Sequence, residues 1–271
     1  MSSIEQAIYD LGKLDTFAAC DTPIHRLDPR AKVVVCFLFI VTVVSYEKHS
    51  LAAILPLILY PVVLASIAGL PFGYLFKKLL LAAPFAFFVG IFNPLLDREI
   101  LVRIGPLGVS GGWLSFLSIL ARFALTVSAA LILIATTGMY AVCLALERLR
   151  VPRVFVMQLL FLYRYLFLLA AEFSRIVRAH ALRAPGKDKG PRLRVFGSIL
   201  GHTLLRSLDR AQRIHQAMLS RGFTGEIHLR SPLRFGLAEY GFIAAWVAFC
   251  VLVRWQNIPE ILGKLVVSLI S

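Results

Sequence analysis

Acidic residues are in short supply. The chain of 271 residues holds 15 Asp+Glu against 29 Lys+Arg, and charged residues of both signs make up only 16% of it. A soluble domain of this length needs more polar surface than that to cover its core. With 59% hydrophobic residues and a mean hydropathy of +0.79, the natural solvent is a bilayer. Cysteine is scarce too. Cys20, Cys36, Cys143 and Cys250 are scattered, with no Cys-x-x-Cys pair, which argues against a structural zinc site and against disulfides. A cleavable signal peptide is also missing. The first 32 residues are polar and mixed in charge, so the first apolar run starts too late for one and is expected to act as an uncleaved span.

Other absences narrow the chemistry. A phosphate-cradling loop needs Gly-x-x-x-x-Gly-Lys followed by Ser or Thr, and Gly186-Lys187-Asp188-Lys189-Gly190 does not supply it. The chain is therefore not expected to hydrolyse ATP or to carry catalytic residues. Six histidines (His25, His49, His180, His202, His215, His228) are dispersed, with no His-Glu-x-x-His or His-x-His, and no metal site is expected among them. The apolar runs lack recurring carboxylates or a Ser/His/Asp pairing, which disfavours an intramembrane enzyme acting on lipids. Inverted repeats are not evident, which disfavours an autonomous carrier. Base-stacking aromatics are missing from the basic polar loops, which disfavours nucleic acid as a partner.

What is present is a series of apolar runs at 31–46, 50–69, 79–93, 113–140 and 235–255. Each is near the roughly 20 residues that cross the hydrocarbon, the first and third being short. Asp28 is placed to cap the first helix, with Pro29 at its first position and Arg30 and Lys32 at headgroup level. Pro56, Pro61 and Pro84 interrupt the second and third runs, as membrane helices tolerate. Gly105, Gly108, Gly111 and Gly112 read as a turn before the fourth run. Arg122, inside that run, is expected to snorkel toward the outer face. The expected fold is an all-α polytopic membrane protein with about five transmembrane helices. Its parts are a polar lead (1–32), a four-helix membrane portion (33–140), a basic helical domain (141–234), and a last span with a short apolar tail (235–271).

Positive charge sets the orientation. With the N-terminus cytoplasmic and five spans, the inner segments hold 23 Lys+Arg and the outer ones five, as the positive-inside rule requires. Residues 141–234 alone hold 17 Lys+Arg and five acids. Residues 154–171 are apolar as well. Making them a sixth span would move ten Lys+Arg of 184–234 outside and put Arg164 in mid-bilayer, at a cost of at least ~2.5 kcal/mol. They are read instead as a helix packed against the others at the membrane face. The final 258–271 suit an interfacial helix.

Within the basic domain, one helical pattern runs from Pro152 to about residue 184 and stops at Pro185-Gly186; a second runs from about 192 to 221 and stops at Gly222. The second has Leu200, Leu204, Leu208, Ala211, His215 and Met218 on one face and Arg206, Asp209, Arg210 and Arg213 on another. The two end alike. Arg175-Ile176, Ala179 and Arg183 match Arg213-Ile214, Ala217 and Arg221 at an offset of 38 residues. Arg, Ala and Arg at i, i+4 and i+8 share a face. An arginine in a last turn suits the helix dipole, so two helix caps are one reading. The other is a duplicated docking element, each copy offering a planar cation to a carboxylate of a partner that itself comes in two copies.

The pattern resembles the transmembrane T component of energy-coupling factor (ECF) transporters. Ala217-Met218-Leu219-Ser220-Arg221-Gly222-Phe223 matches the second of that family's small-Arg-Gly motifs. Leu182-Arg183-Ala184 stands where the first belongs, with Ala184 and Pro185 departing from the usual glycine. Asp21-Thr22-Pro23-Ile24-His25-Arg26-Leu27-Asp28-Pro29-Arg30-Ala31-Lys32 is similar to its N-terminal signature. Length and N-terminal extension are most like the cobalt-type member, CbiQ. The resemblance implies a bacterial inner-membrane protein, multi-pass, with N-terminus and basic domain cytoplasmic. It implies a non-catalytic subunit whose arginine-bearing helix ends sit in grooves of two ABC ATPase subunits. It also implies a separate substrate-binding membrane subunit, of cobalt type, with or without a small accessory membrane protein. No cofactor is expected on this chain; ATP and Mg would be bound by the partner ATPases.

Overall fold

The computed structural model describes residues 17–47, 51–96, 100–104, 107–183, 193–223 and 235–255. Ala184, Pro185, the Lys187–Pro191 loop, His49, His228 and the 258–271 tail lie outside these. The chain forms two units, one from the described residues of 17–138 and 235–255, the other from those of 139–223.

The first unit begins with a short turn of helix, α1 (Pro23–Arg26), and then α2 (Pro29–Val44). Asp28 starts α2 as the sequence suggests. Its carboxylate accepts from the Arg30 N–H at 2.9 Å, and Pro29 takes the first helical position. Ala31, Val35, Phe39 and Val43 form a buried row at four-residue spacing, while Phe37, Val41 and Val44 face outward. One face thus packs on protein and the other offers apolar surface suited to lipid. Phe39 stacks on Tyr60 at 4.0 Å between ring centres, and Tyr60 meets the Trp246 ring edge-on at 4.7 Å.

A second pass is made of α3 (Leu51–Ile54), a 3₁₀ turn (Leu55–Ile58) and α4 (Leu59–Ile67). Pro56 sits in that turn, where its missing N–H breaks the regular ladder. The third pass is α5 (Phe72–Gly90), which carries Pro84 inside it, followed by α6 (Phe92–Leu96). Where the sequence suggests only a turn, two antiparallel strands appear: β1 (Ile100–Ile104) and β2 (Leu107–Ser110). The branched residues flanking Gly105 favour extended backbone. Then come α7 (Gly111–Thr137) and, after the second unit, α11 (Leu237–Trp255). Gly90 at the end of α5 lies against the start of α7 so closely that a Cβ there would be 2.8 Å from the Phe116 ring. The missing side chain is what lets these two helices approach.

Polar side chains hold both ends of α2. At its start, Lys32 donates to the carbonyls of Thr136 (2.9 Å) and His25 (3.4 Å), and Glu239 accepts from the Asp28 N–H at 3.3 Å. At its finish, Arg254 donates to the Ser45 carbonyl at 3.3 Å and lies over the Tyr46 ring, and Arg122 donates to the Glu47 carbonyl. Lys32 is therefore not among headgroups. It is 5% exposed, turned inward because the C-terminal carbonyl of α7 needs a donor and a helix C-terminus attracts a cation. Arg122 reaches the end of α2 remote from Asp28 instead of lying unpaired in the run. Because Thr136 and Glu239 both sit at the Asp28 end, the chain leaves this unit and rejoins it at the same end.

The second unit contains α8 (Met139–Arg148), α9 (Arg153–Arg183) and α10 (Leu193–Leu219). After α8, Arg150 takes a left-handed conformation (φ 69°), and Pro152 precedes α9. Four helical stretches in the described residues are long and apolar enough to cross a membrane: Phe72–Pro94, Gly111–Thr137, Arg153–His180 and Leu237–Trp255. The protein is thus an all-α polytopic membrane protein, with one small hairpin added.

Candidate functional site

In the second unit, α9 and α10 are joined by an acid held between two arginines. Glu172 of α9 lies 2.8 Å from Arg210 and 3.7 Å from Arg206 of α10. Phe173 and Phe196 meet edge-on at 6.1 Å. Ile199 is buried between the helices. The apolar row read from the sequence is not: Leu200, Leu204 and Leu208 are each more than half exposed. Among the described residues of this unit nothing covers them, and they form an apolar ridge.

The second arginine motif is a helix stop. Gly222 adopts φ +77°. Its N–H bonds to the Leu219 carbonyl, and the Phe223 N–H bonds to the Met218 carbonyl. These two bonds define a Schellman cap with glycine in the left-handed position and Arg221 just before it. The backbone itself satisfies the last carbonyls, so the Arg221 guanidinium is not needed for capping. The side chain is exposed. Arg183 closes α9 and is exposed as well, next to Leu182, which is 83% exposed. Among the described residues neither arginine has an ion pair or a side-chain hydrogen bond. Ala184, the last member of the first motif, lies outside the described residues; Ser220 is exposed and donates to the Gln216 carbonyl.

The repeated arginine faces differ in surroundings. Arg175, Ala179 and Arg183 line a cleft of about 520 Å³ between α9 and α10, facing His202 and Arg206. Arg213, Ala217 and Arg221 are exposed and line no part of it.

The N-terminal signature lies in the first unit. Asp28, Pro29, Arg30 and Lys32 build the start of α2 described above, with Arg30 Nε 3.8 Å from Asp28. Ahead of them Arg26 grips Asp21 through Nε and Nη2, both at 2.7 Å. That pairing holds the Asp21 carboxyl below its ordinary range and raises the Arg26 guanidinium. The His25 imidazole is held low by burial first and by the Lys32 charge second. Sequence reading missed Glu239 and Arg254, whose partners lie more than 200 residues away. Their only advance signal was a charge near each end of an apolar run. Among the described residues, no group of three His, Cys, Asp or Glu side chains is placed to hold a metal ion.

Residues 21–233 match the family model described as CbiQ, cobalt transport protein. The energy-coupling factor transporter transmembrane protein EcfT of Bacillus subtilis is 27% identical over 216 residues, covering 74% of this chain and 81% of that one. The protein of the same name from Heliobacterium modesticaldum is 26% identical over 267 residues, covering 90% and 97%. The cobalt transport protein CbiQ of Rhodobacter capsulatus is 28% identical over 147 residues, covering 51% and 60%.

Proposed function

The chain belongs to the CbiQ family, as a transmembrane T component of the ECF type, and from that footing we propose that it couples two ABC ATPase subunits to a separate substrate-binding membrane subunit. The observation that carries the reading is the pair of exposed arginines at the ends of α9 and α10, unpartnered among the described residues, one of them freed from capping duty by the Gly222 stop. A guanidinium free of internal partners keeps its full fork for a partner's carboxylate. The exposed ridge of Leu200, Leu204 and Leu208 supplies apolar area beside it. ATP and Mg belong to the ATPases, whose closure would displace the two helix ends and so move the substrate subunit. This chain itself carries no catalytic role.

The basic domain is read as cytoplasmic in a bacterial inner membrane. Its chain departs after Thr136 and returns before Glu239 at one end of the first unit. That return supports an even number of crossings between. With Arg206, Asp209, Arg210 and Arg213 in mid-helix, α10 is too costly to span, and on that count we read α9 as lying against the membrane, despite its apolar length. Cobalt ion is the cargo we favour, on the family description.

Copurification from detergent-extracted membranes, with cobalt uptake by cells carrying the full transporter, tests this. Two ATPase subunits and a membrane partner in the complex, with uptake lost when this chain is deleted, is the expected result. A chain that purifies alone and transports alone overturns it. Uptake of another metal or of a vitamin by the intact complex would replace the cargo and leave the coupling role.

A further inference from the structure

The cleft between α9 and α10 gathers positive charge beyond Arg183, the one of its arginines that the coupling role uses. Arg175, Arg183 and Arg206 line it with His180 and His202, and among the described residues no carboxylate does. Glu172, the nearby acid, is already engaged by Arg206 and Arg210, which holds the Arg206 fork in place. The volume of about 520 Å³ is in the range of small-molecule sites and admits more than a bare ion.

Position decides which anion. The apolar stretch of α9 runs from Arg153 to His180, and the cleft opens at its last turns, from Arg175 onward. With that stretch lying against the membrane face, as in the proposed function, its basic end is placed at headgroup level. Large apolar side chains on the same turns, Leu182 and Phe196 among them, stand exposed, as acyl chains would require. Basic pockets between helices at the cytoplasmic face are where anionic headgroups bind.

We propose that this cleft is a binding site for the phosphate of an anionic phospholipid, held by Arg175 and Arg206 with the histidines beside them. The lipid would tie α9 to α10 at the membrane surface and fix the geometry of the helix end that carries Arg183.

The test uses the purified full chain in neutral detergent, with phosphatidylglycerol, phosphatidylcholine or inorganic phosphate added separately. Lipid retention is read by native mass spectrometry and stabilisation by thermal unfolding. Phosphatidylglycerol should be retained over phosphatidylcholine. The Arg175→Gln/Arg206→Gln variant should lose that retention by about tenfold or more, at roughly tenfold per 1.4 kcal/mol. Arg148→Gln/Arg213→Gln, which removes the same charge outside the cleft, should retain it. Should loss of Arg206 unsettle Glu172 and the fold, Arg175→Glu alone must give the same loss. Equal retention of the two lipids, equal loss in both double variants, or stabilisation by inorganic phosphate matching that by phosphatidylglycerol would each overturn the proposal.

Discussion

The ammonium of Lys32, near the start of α2, lies 2.9 Å from the carbonyl of Thr136 at the end of α7, and both residues are buried. One side chain thereby closes the last turn of a helix more than a hundred residues further along the chain. Replacing it with methionine keeps the apolar stem and removes the donor. A buried carbonyl left without its partner costs roughly 1–3 kcal/mol, so Lys32→Met should lower the unfolding temperature of the detergent-purified chain. An unchanged melting curve would show the bond to be incidental.

The two exposed arginines should act through assembly and not through folding. A charge-assisted hydrogen bond contributes about 1.5–3 kcal/mol, so Arg183→Ala or Arg221→Ala should weaken capture of the ATPases roughly tenfold to a hundredfold. The double variant should abolish uptake with the helices intact by circular dichroism. Lysine, which keeps charge without the planar fork, should rescue partly. Arg213→Ala, exposed on the same helix, serves as control. Equal losses at all three positions would mean a diffuse basic surface.

Gly222 tests whether the helix stop matters in itself. A Cβ there would meet nothing within 4 Å, so any penalty of Gly222→Ala comes from the backbone at φ +77° and should be about 1 kcal/mol. Asparagine, which tolerates that region better, should cost less. ATPase capture should follow the same order, glycine over asparagine over alanine, because the stop aims Arg221. If all three capture equally, the aim of the arginine is set elsewhere.

Topology is open to labelling. In a background with the four native cysteines replaced, a cysteine at Lys187 should resist an impermeant maleimide applied outside intact cells, and one at Arg98 should react. Comparable reaction at Lys187 would put the basic domain on the other face.

His25 gives the expected pH dependence. Its imidazole is depressed in the fold, so the unfolded chain binds the proton more readily. Stability contributed by the neutral form is therefore present above the unfolded value of about 6.5 and lost as pH falls below it. His25→Gln should flatten the slope of melting temperature against pH between about 5 and 7. A slope the same as that of the parent would assign the titration to another group.

Much of this architecture was legible beforehand, for reasons particular residues make plain. The Asp28-Pro29 start is local, so the sequence states it outright. The Gly222 stop is local as well. The runs that became α5, α7 and α11 are apolar on nearly every side, and such a run has few alternatives to a membrane helix. What composition could not tell was who meets whom. Lys32 looked like any headgroup lysine until Thr136 was found beside it, and Glu239 looked like a boundary charge until it met Asp28. The row Leu200-Leu204-Leu208 was read correctly as one face, but periodicity says only that a face is apolar, not that anything covers it. The repeat of Arg175-Ala179-Arg183 in Arg213-Ala217-Arg221 was visible as spacing, yet spacing gave no hint that the first copy, and not the second, lines the cleft between α9 and α10.

The return of the chain to its starting end carries a consequence for how the protein is made. Asp28 emerges from the ribosome 211 residues ahead of its partner Glu239. Roughly a hundred residues, most of them the basic domain, separate Thr136 from Glu239, and at about 5–20 residues per second they take roughly 5–20 s to synthesise. For that interval the earlier helices of the first unit stand with a vacant flank where α11 will pack, Tyr60 lacking Trp246 and Ser45 lacking Arg254. This helix, α11, is the keystone, and a nascent chain stalled before it would expose the seam that a quality-control protease or an insertase is built to recognise.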